Sequence, residues 1–145
     1  MSSTALSDSE IRRFVEDWYR RLDVHVPMVE LLPLLADEGL EMVFPEATVR
    51  GHAGFEGWYQ RVIRIFFDEV HNVTSVDIER TGDRANLKVV VNWQASVWNP
   101  PAANSARINL DAYQRWVVKS SPAGGLVVTT YIVDSLDYRE GSAKL

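Results

Sequence analysis

The spacing of hydrophobic residues changes near residue 71. Before this point apolar residues recur with helical period in two segments, one from residue 8 and one over residues 52–70. Ser7 and Glu10 have the spacing of a capping box at the start of the first. A further helix is predicted from Pro27 to Gly39, although Pro33 favours a kinked or short one. After residue 71 the period is two, which predicts strands.

The strand half of the chain is predicted to form an antiparallel meander. Gly82 and Asp83 separate two alternating runs and indicate a tight hairpin, and two further runs cover residues 106–119 and 127–138. A short hairpin is also predicted in "LEMVFPEATVRG", between the helices. Helices first and strands afterwards indicate an α+β fold with the helices on one face of the sheet.

Composition narrows the class of protein. The chain has 145 residues, which fits one domain over residues 1–145, with an ordered core predicted at about 8–139 and loose ends at residues 1–6 and 141–145. Net charge is −5 and no basic cluster interleaves with aromatic residues, so we expect no nucleic-acid partner. The chain contains no cysteine, which excludes disulfides and thiolate metal sites. We find no signal peptide and no apolar run that could span a bilayer, so we expect a cytoplasmic protein without a membrane partner.

The last predicted strand contains an unexpected carboxylate. Strict alternation places Asp134 on the same face as Val128, Ile132 and Leu136. An unpaired carboxylate among aliphatic side chains is costly. Asp134 is therefore paired, at a strand end, or kept for chemistry.

Four segments, in this order and spacing, resemble the nuclear transport factor 2-like superfamily and, within it, the SnoaL-like proteins. They are "FVEDWYRRLD", "VRGHAGFEGWYQ", "ERTGDRANLKVVVNW" and "AYQRWVV" followed by "GGLVVTTYIVD". The resemblance implies a cystatin-like α+β roll, in which a curved antiparallel sheet wraps as a cone around three N-terminal helices and leaves an apolar pocket. It also implies a homodimer formed through the sheet.

Known activities of this superfamily match the sequence unevenly. The base and the oxyanion aspartate of the ketosteroid isomerases fall at Phe44 and Ala112, and the aspartate-arginine cluster of the limonene epoxide hydrolases is also absent. His71 and His52 lack the motifs that surround the two histidines of scytalone dehydratases. The acid/base aspartate of SnoaL-like polyketide cyclases corresponds to Asp134, whose pKa an apolar pocket would raise.

The resemblance and the residues together give a candidate site. We expect Asp134 to act as acid or base, with His71 or Tyr19 as a second proton or oxyanion group. The alternatives are that Asp134 pairs with Arg115 or Arg107, and that His71 is a structural junction residue. The predicted ligand-binding residues are aromatic apart from one isolated amide: Phe44, Trp58, Tyr59, Trp93, Gln114 and Trp116.

The predicted function is the binding of a small, largely apolar, cyclic molecule, with acid/base catalysis that needs no cofactor. Isomerisation, cyclisation, dehydration and hydrolysis all fit this description. The histidines do not have the spacing of a metal site, so no metal is predicted. The alternative is a non-catalytic module for ligand binding or subunit association.

Overall fold

The first helix forms where the amphipathic pattern predicts it. The computed structural model describes residues 7–145; residues 1–6, one of the ends predicted to be loose, lie outside the described part. Helix α1 spans Asp8–Asp23, and Ser7 caps it by accepting a hydrogen bond from the backbone N of Glu10 at 3.1 Å. Its apolar face is buried throughout: Ile11, Phe14, Val15, Trp18, Tyr19 and Leu22.

The segment after α1 is short and kinked, as Pro33 indicates. It consists of two 3₁₀ turns, Met28–Glu30 and Leu32–Leu34. The predicted hairpin follows as β1 (Glu41–Phe44) and β2 (Ala47–Arg50), and helix α2 spans Gly51–Ile65. The predicted helix is too long at its C-terminal end, because Phe66 is extended and pairs with Val97 as the first residue of the next strand.

Within residues 7–145, six strands form one mixed sheet. The four long strands are β3 (Phe66–Thr81), β4 (Arg84–Val97), β5 (Ala106–Ser120) and β6 (Leu126–Tyr138). The order is β2-β1-β6-β5-β4-β3, and every neighbouring pair is antiparallel except β1 and β6, which are parallel. Gly82, with φ +64°, turns the chain from β3 into β4. The predicted meander of long strands is confirmed.

Strand β6 contains two β-bulges. Residues 110–120 of β5 pair with residues 126–138 of β6, and the register shifts once around Thr129 and once around Asp134. Residues paired across strands share a face, so Val128, Tyr131, Val133 and Leu136 lie on the same face as their β5 partners Val118, Trp116, Gln114 and Ala112. The two extra residues therefore shift the alternation of β6 twice.

The concave face of the curved sheet packs against the helices. Trp18 of α1 contacts Phe55 of α2 and both Trp116 and Tyr131 of the sheet, with ring centroids 5.6 to 6.3 Å apart. The predicted α+β roll is thus confirmed. Within the described residues, no helix is both long and apolar enough for a membrane span.

The C-terminal residues fold back onto the sheet. Ala143 donates its backbone N–H to the Arg107 carbonyl at 2.9 Å, and Ser142 accepts from the backbone N of Asn109 at 2.8 Å. Leu145 donates its backbone N–H to the Tyr138 hydroxyl at 3.1 Å. These contacts place Leu145 at the wall of the cavity described next.

Candidate functional site

A cavity of about 420 Å³ lies between the helices and the concave face of the sheet. Its wall is mostly aliphatic and aromatic, and the polar side chains in it are few. The residues most relevant to chemistry are Tyr19, Glu69, His71, Gln114 and Tyr131. The cavity has the size and character of a site for a small, largely apolar molecule.

His71 on β3 is held by Asp23, the last residue of α1. Nδ1 of His71 lies 2.5 Å from Oδ1 of Asp23, and the backbone N of His71 donates to Oδ2 at 3.1 Å. A carboxylate only accepts, so the Nδ1 proton occupies this hydrogen bond and Nε2 carries the free lone pair. Nε2 has no hydrogen-bond partner among the described residues. This arrangement is that of a general base oriented by a carboxylate.

The plane of the His71 ring is also fixed. The ring stacks on Tyr19 with centroids 4.6 Å apart and an interplanar angle of 22°. The Trp93 ring is also stacked with it, with centroids 6.0 Å apart and an interplanar angle of 23°. Rotation of the imidazole would break both contacts and the hydrogen bond to Asp23, so the direction of Nε2 is set before a ligand arrives.

A second acid–histidine pair lies next to the first. Glu69 contacts Nε2 of His25 through one carboxylate oxygen and accepts from Nε1 of Trp93 at 3.0 Å through the other. The chain reads acid-Val-His at both places, as Asp23-Val24-His25 and as Glu69-Val70-His71. Each acid pairs with the histidine of the other segment, which ties the end of α1 to β3.

Behind the histidine lies a buried hydroxyl and amide network. Tyr19 donates its hydroxyl hydrogen to Oε1 of Gln114 at 2.8 Å, and its oxygen lies 3.0 Å from the Tyr131 hydroxyl. Trp116 donates its indole N–H to the same Oε1 at 3.1 Å. Burial raises the pKa of Tyr131 to about 12 and that of Tyr19 well above its usual range. Both tyrosines are therefore neutral hydrogen-bonding groups at neutral pH.

Aromatic side chains close the end of the cavity near the first hairpin. Phe44 of β1 and Trp58 of α2 stack with centroids 3.8 Å apart and a 5° angle between planes. Trp58 also donates its indole N–H to Glu46 at 3.2 Å. Tyr59 donates to the Val26 carbonyl at 2.5 Å, and burial, reinforced by nearby Glu69, raises the pKa of Tyr59 to about 12.

The expectation that Asp134 lies in the pocket is wrong. Its carboxylate accepts two hydrogen bonds of 2.8 Å from Nε and Nη2 of Arg115, and both side chains are solvent-exposed. The hydrogen bonds from Arg115 hold the pKa of Asp134 below its usual range, opposite to the predicted direction. The two bulges are the physical reason, because the one at Thr129 turns Asp134 outward relative to Val128 and the one at Asp134 returns Leu136 to the inner face.

Trp116 is also placed differently from its predicted position. It is 1% exposed and lies beneath the cavity wall, where it holds Gln114 and packs against Trp18 and Tyr131. The remaining predicted site residues do line the cavity: Tyr19, Phe44, Trp58, Tyr59, His71, Trp93 and Gln114. Their roles in ligand binding or catalysis stay predictions.

The residues that the sequence analysis did not single out are Asp23, His25, Glu69 and Tyr131. The repeated acid-Val-His triplet is a signal for the first three, but it does not say which acid meets which histidine. His52 lies away from the cavity wall and its Nε2 contacts the Ala36 carbonyl at 3.0 Å. In the described part of the chain, no group of three or more His, Asp or Glu residues is arranged to hold a metal ion.

Comparison with solved structures identifies the fold. No protein-family model matches the chain, and no curated protein shows significant sequence similarity to it. A proposed scytalone dehydratase from Novosphingobium aromaticivorans superposes with a TM-score of 0.70 at 16% identity, covering 94% of this chain and 90% of that one. The hexachlorocyclohexane dehydrochlorinase LinA-type3 from Novosphingobium barchaimii gives 0.72 at 15% identity, with 94% and 92% covered.

A third similar structure carries the name of the fold. It is a nuclear transport factor 2-like protein with a cystatin-like fold, also from Novosphingobium aromaticivorans, with a TM-score of 0.63 at 17% identity and coverage of 93% and 83%. At such identities the similarity concerns the fold and not the activity. The resemblance inferred from the sequence segments is confirmed at this level: the chain has the nuclear transport factor 2-like, cystatin-like fold.

Proposed function

We propose that the protein abstracts a proton from a small, largely apolar, cyclic molecule and thereby eliminates a neighbouring leaving group without a cofactor. The observation that carries this proposal is the His71–Asp23 pair at the wall of an apolar cavity. A stacked imidazole with a free Nε2 and a carboxylate behind Nδ1 is equipped for proton transfer.

The proposed elimination begins with proton transfer to His71. Nε2 of His71 takes a proton from a ring carbon, and the electron pair of that C–H bond forms the new double bond. The substituent on the adjacent carbon leaves with the electrons of its own bond. Asp23 stabilises the imidazolium that forms. For a hydroxyl leaving group the imidazolium can return the proton, so that water departs and His71 is regenerated.

Two of the structurally similar proteins have names that denote eliminations, of water in one case and of hydrogen chloride in the other. This supports an elimination over the isomerase, cyclase and hydrolase reactions that the sequence also allows. The apolar wall favours such a reaction as well, since little water can compete for the base.

The experiment is a comparison of three variants on cyclic β-hydroxy ketones and cyclic polychlorinated compounds. Enone absorbance measures loss of water, and chloride release measures loss of hydrogen chloride. We expect His71→Ala to lower turnover by about two to four orders of magnitude, the usual contribution of a general base. Asp23→Asn should act in the same direction, because an amide N–H facing Nδ1 favours the tautomer with the proton on Nε2.

The matched control is Asp134→Asn, which removes a carboxylate outside the cavity and should leave turnover unchanged. Equal turnover in the parent and in His71→Ala would contradict the proposal. The second candidate is a non-catalytic binding module. It is favoured by the hydrogen bond between the Tyr19 and Tyr131 hydroxyl groups, because these groups find their partners within the protein and need none on a ligand. It predicts ligand binding without turnover in the parent.

A further inference from the structure

The side-chain amide of Gln114 has one end inside the protein and the other at the cavity. An indole N–H can only donate, so the amide atom that faces Trp116 is the oxygen, and Tyr19 donates to the same atom. The amide nitrogen, Nε2, is therefore the end turned away from both partners. The two donors, Tyr19 and Trp116, therefore fix the orientation of this amide.

Nε2 of Gln114 carries two N–H donors, and the amide also interacts with the Tyr131 hydroxyl, but neither donor makes a well-formed hydrogen bond to a described residue. The residue is 5% exposed, and Gln114 lines the cavity. In the described part of the chain, Trp18 Nε1 is the one fully buried side-chain nitrogen or oxygen without a partner. Nε2 of Gln114 is consequently not fully buried, and it is accessible from the cavity.

A donor held in an apolar cavity needs an acceptor on the ligand. Tyr19 and Trp116 both donate to the amide oxygen, which polarises the amide and strengthens its N–H donors. An organic halogen is a weak acceptor, whereas a carbonyl oxygen is a strong one. A carbonyl would also acidify the neighbouring C–H bond and place developing negative charge on the oxygen that Nε2 contacts.

We propose that the cavity is built for cyclic ketones or enones, with the ligand carbonyl oxygen accepting a hydrogen bond from Nε2 of Gln114. This inference deepens the proposed function and rests on it for the view that the cavity is the substrate site. It adds the substrate class: an oxygenated ring with a carbonyl group, and not a wholly apolar or halogenated hydrocarbon.

The test is binding of two matched probes, 1-tetralone and tetralin, followed through tryptophan fluorescence, since Trp58 and Trp93 line the cavity. The two compounds share a bicyclic frame and differ in the carbonyl. Gln114→Glu keeps an acceptor for Tyr19 and Trp116, which favour the ionised carboxylate, but presents no donor to the cavity. We expect this variant, at pH 8, to lower tetralone affinity about ten-fold relative to tetralin affinity, as for one lost hydrogen bond.

Gln114→Met provides a second variant without any polar group, and it should shift the ratio of the two affinities in the same direction. Tetralin binding itself reports whether either variant still folds around its cavity. A ratio unchanged within two-fold in both folded variants would overturn the proposal. Because binding needs no turnover, the control Asp134→Asn, at a residue outside the cavity, should keep the parental ratio. Loss of catalysis and loss of carbonyl recognition are therefore separable.

Discussion

Arg115 and Asp134 form a two-point ion pair on the outer face of the sheet, with Nε–Oδ2 and Nη2–Oδ1 both at 2.8 Å. Arg115 pairs in register with Ile132, and Asp134 lies two residues further along β6 on the same outer face, within reach of the guanidinium. The geometry matches the planar fork of arginine to a carboxylate. A carboxylate in this position contributes to the surface and has no route to the cavity.

Asp134→Asn should therefore lower the melting temperature slightly at pH 7 and leave ligand binding unchanged. Hydrogen bonds from Arg115 depress the pKa of Asp134, so their stabilisation is present above its ordinary pKa of 3.8 and is lost as pH falls through the lower folded value. Thermal melts at pH 7 and at about pH 2.5 measure this. If the melting temperatures of parent and variant differed more in acid than at pH 7, the Arg115–Asp134 pair would not be the source of this stabilisation.

Buried tyrosines should make the protein sensitive to alkali. Tyr131 keeps its proton to about pH 12 when folded but loses it near its ordinary value of 10 when unfolded. The contribution of Tyr131 to the free energy of unfolding is therefore fully present below pH 10. It falls as pH rises toward 12, by about 1.4 kcal/mol per pH unit for each such group. Tyr19, whose pKa is also raised by burial, adds to this decline.

Tyr131→Phe tests the alkaline effect directly. It removes one titrating group and one hydrogen bond to Tyr19, so we expect a loss of about 1 kcal/mol in the free energy of unfolding at pH 8. Between pH 10 and 12 the variant should lose stability less steeply than the parent. Urea titrations at several pH values give both quantities. Tyr113→Phe is the matched control, since Tyr113 is 40% exposed.

Glu69 should matter for stability even though it lines the cavity. Glu69→Ala leaves the Trp93 indole N–H and His25 without their acceptor, which should lower the free energy of unfolding by about 1 to 3 kcal/mol. Glu69→Gln retains an oxygen for Trp93 and should lose less. Glu79→Ala, at an exposed position of the same strand, is the control and should change little. An effect of Glu69→Ala no larger than that of the control would contradict this reading.

The homodimer expected from the sequence remains a prediction. Val90 and Tyr113 are cross-strand partners on the outer face of the sheet, and Tyr113 is 40% exposed. If two copies meet through this face, Tyr113→Lys should halve the mass measured by light scattering at micromolar concentration. Val29→Lys, at a residue that is 68% exposed and outside the sheet, should not change it. A parent with the mass of one chain would contradict the dimer.

The fold could be predicted because its signals are local. The capping box at Ser7, the buried face of α1 and the turn at Gly82 are each decided by residues close in sequence. The same periodicity placed Tyr19 and Gln114 on inward faces. The pairing of His71 with Asp23 was not predictable, since it joins residues 48 positions apart through the docking of α1 on the sheet.

Asp134 shows where periodicity fails. The alternation of apolar and polar residues does not reveal a residue that is added to one strand and not to its neighbour. Beyond the first bulge of β6, alternation alone therefore could not decide which side chains face inward. Ile132 and Tyr131 are both large and apolar, and neither composition nor spacing distinguishes the inward one. The hydrogen-bond register with β5 settles the question.

The two bulges have a consequence for tolerance to length changes. Over one paired span β6 uses 13 residues, Leu126–Tyr138, where β5 uses the 11 residues 110–120. Loss of Asp134 alone would leave Val133, Ser135 and Leu136 opposite Gln114, Tyr113 and Ala112, so Leu136 would stay inward while β6 lost one of its two bends. Loss of both Thr129 and Asp134 would restore simple alternation between Val128 and Leu136 but straighten the strand. In this chain the bends of the strand behind the cavity depend on two residues whose side chains are not part of the cavity wall.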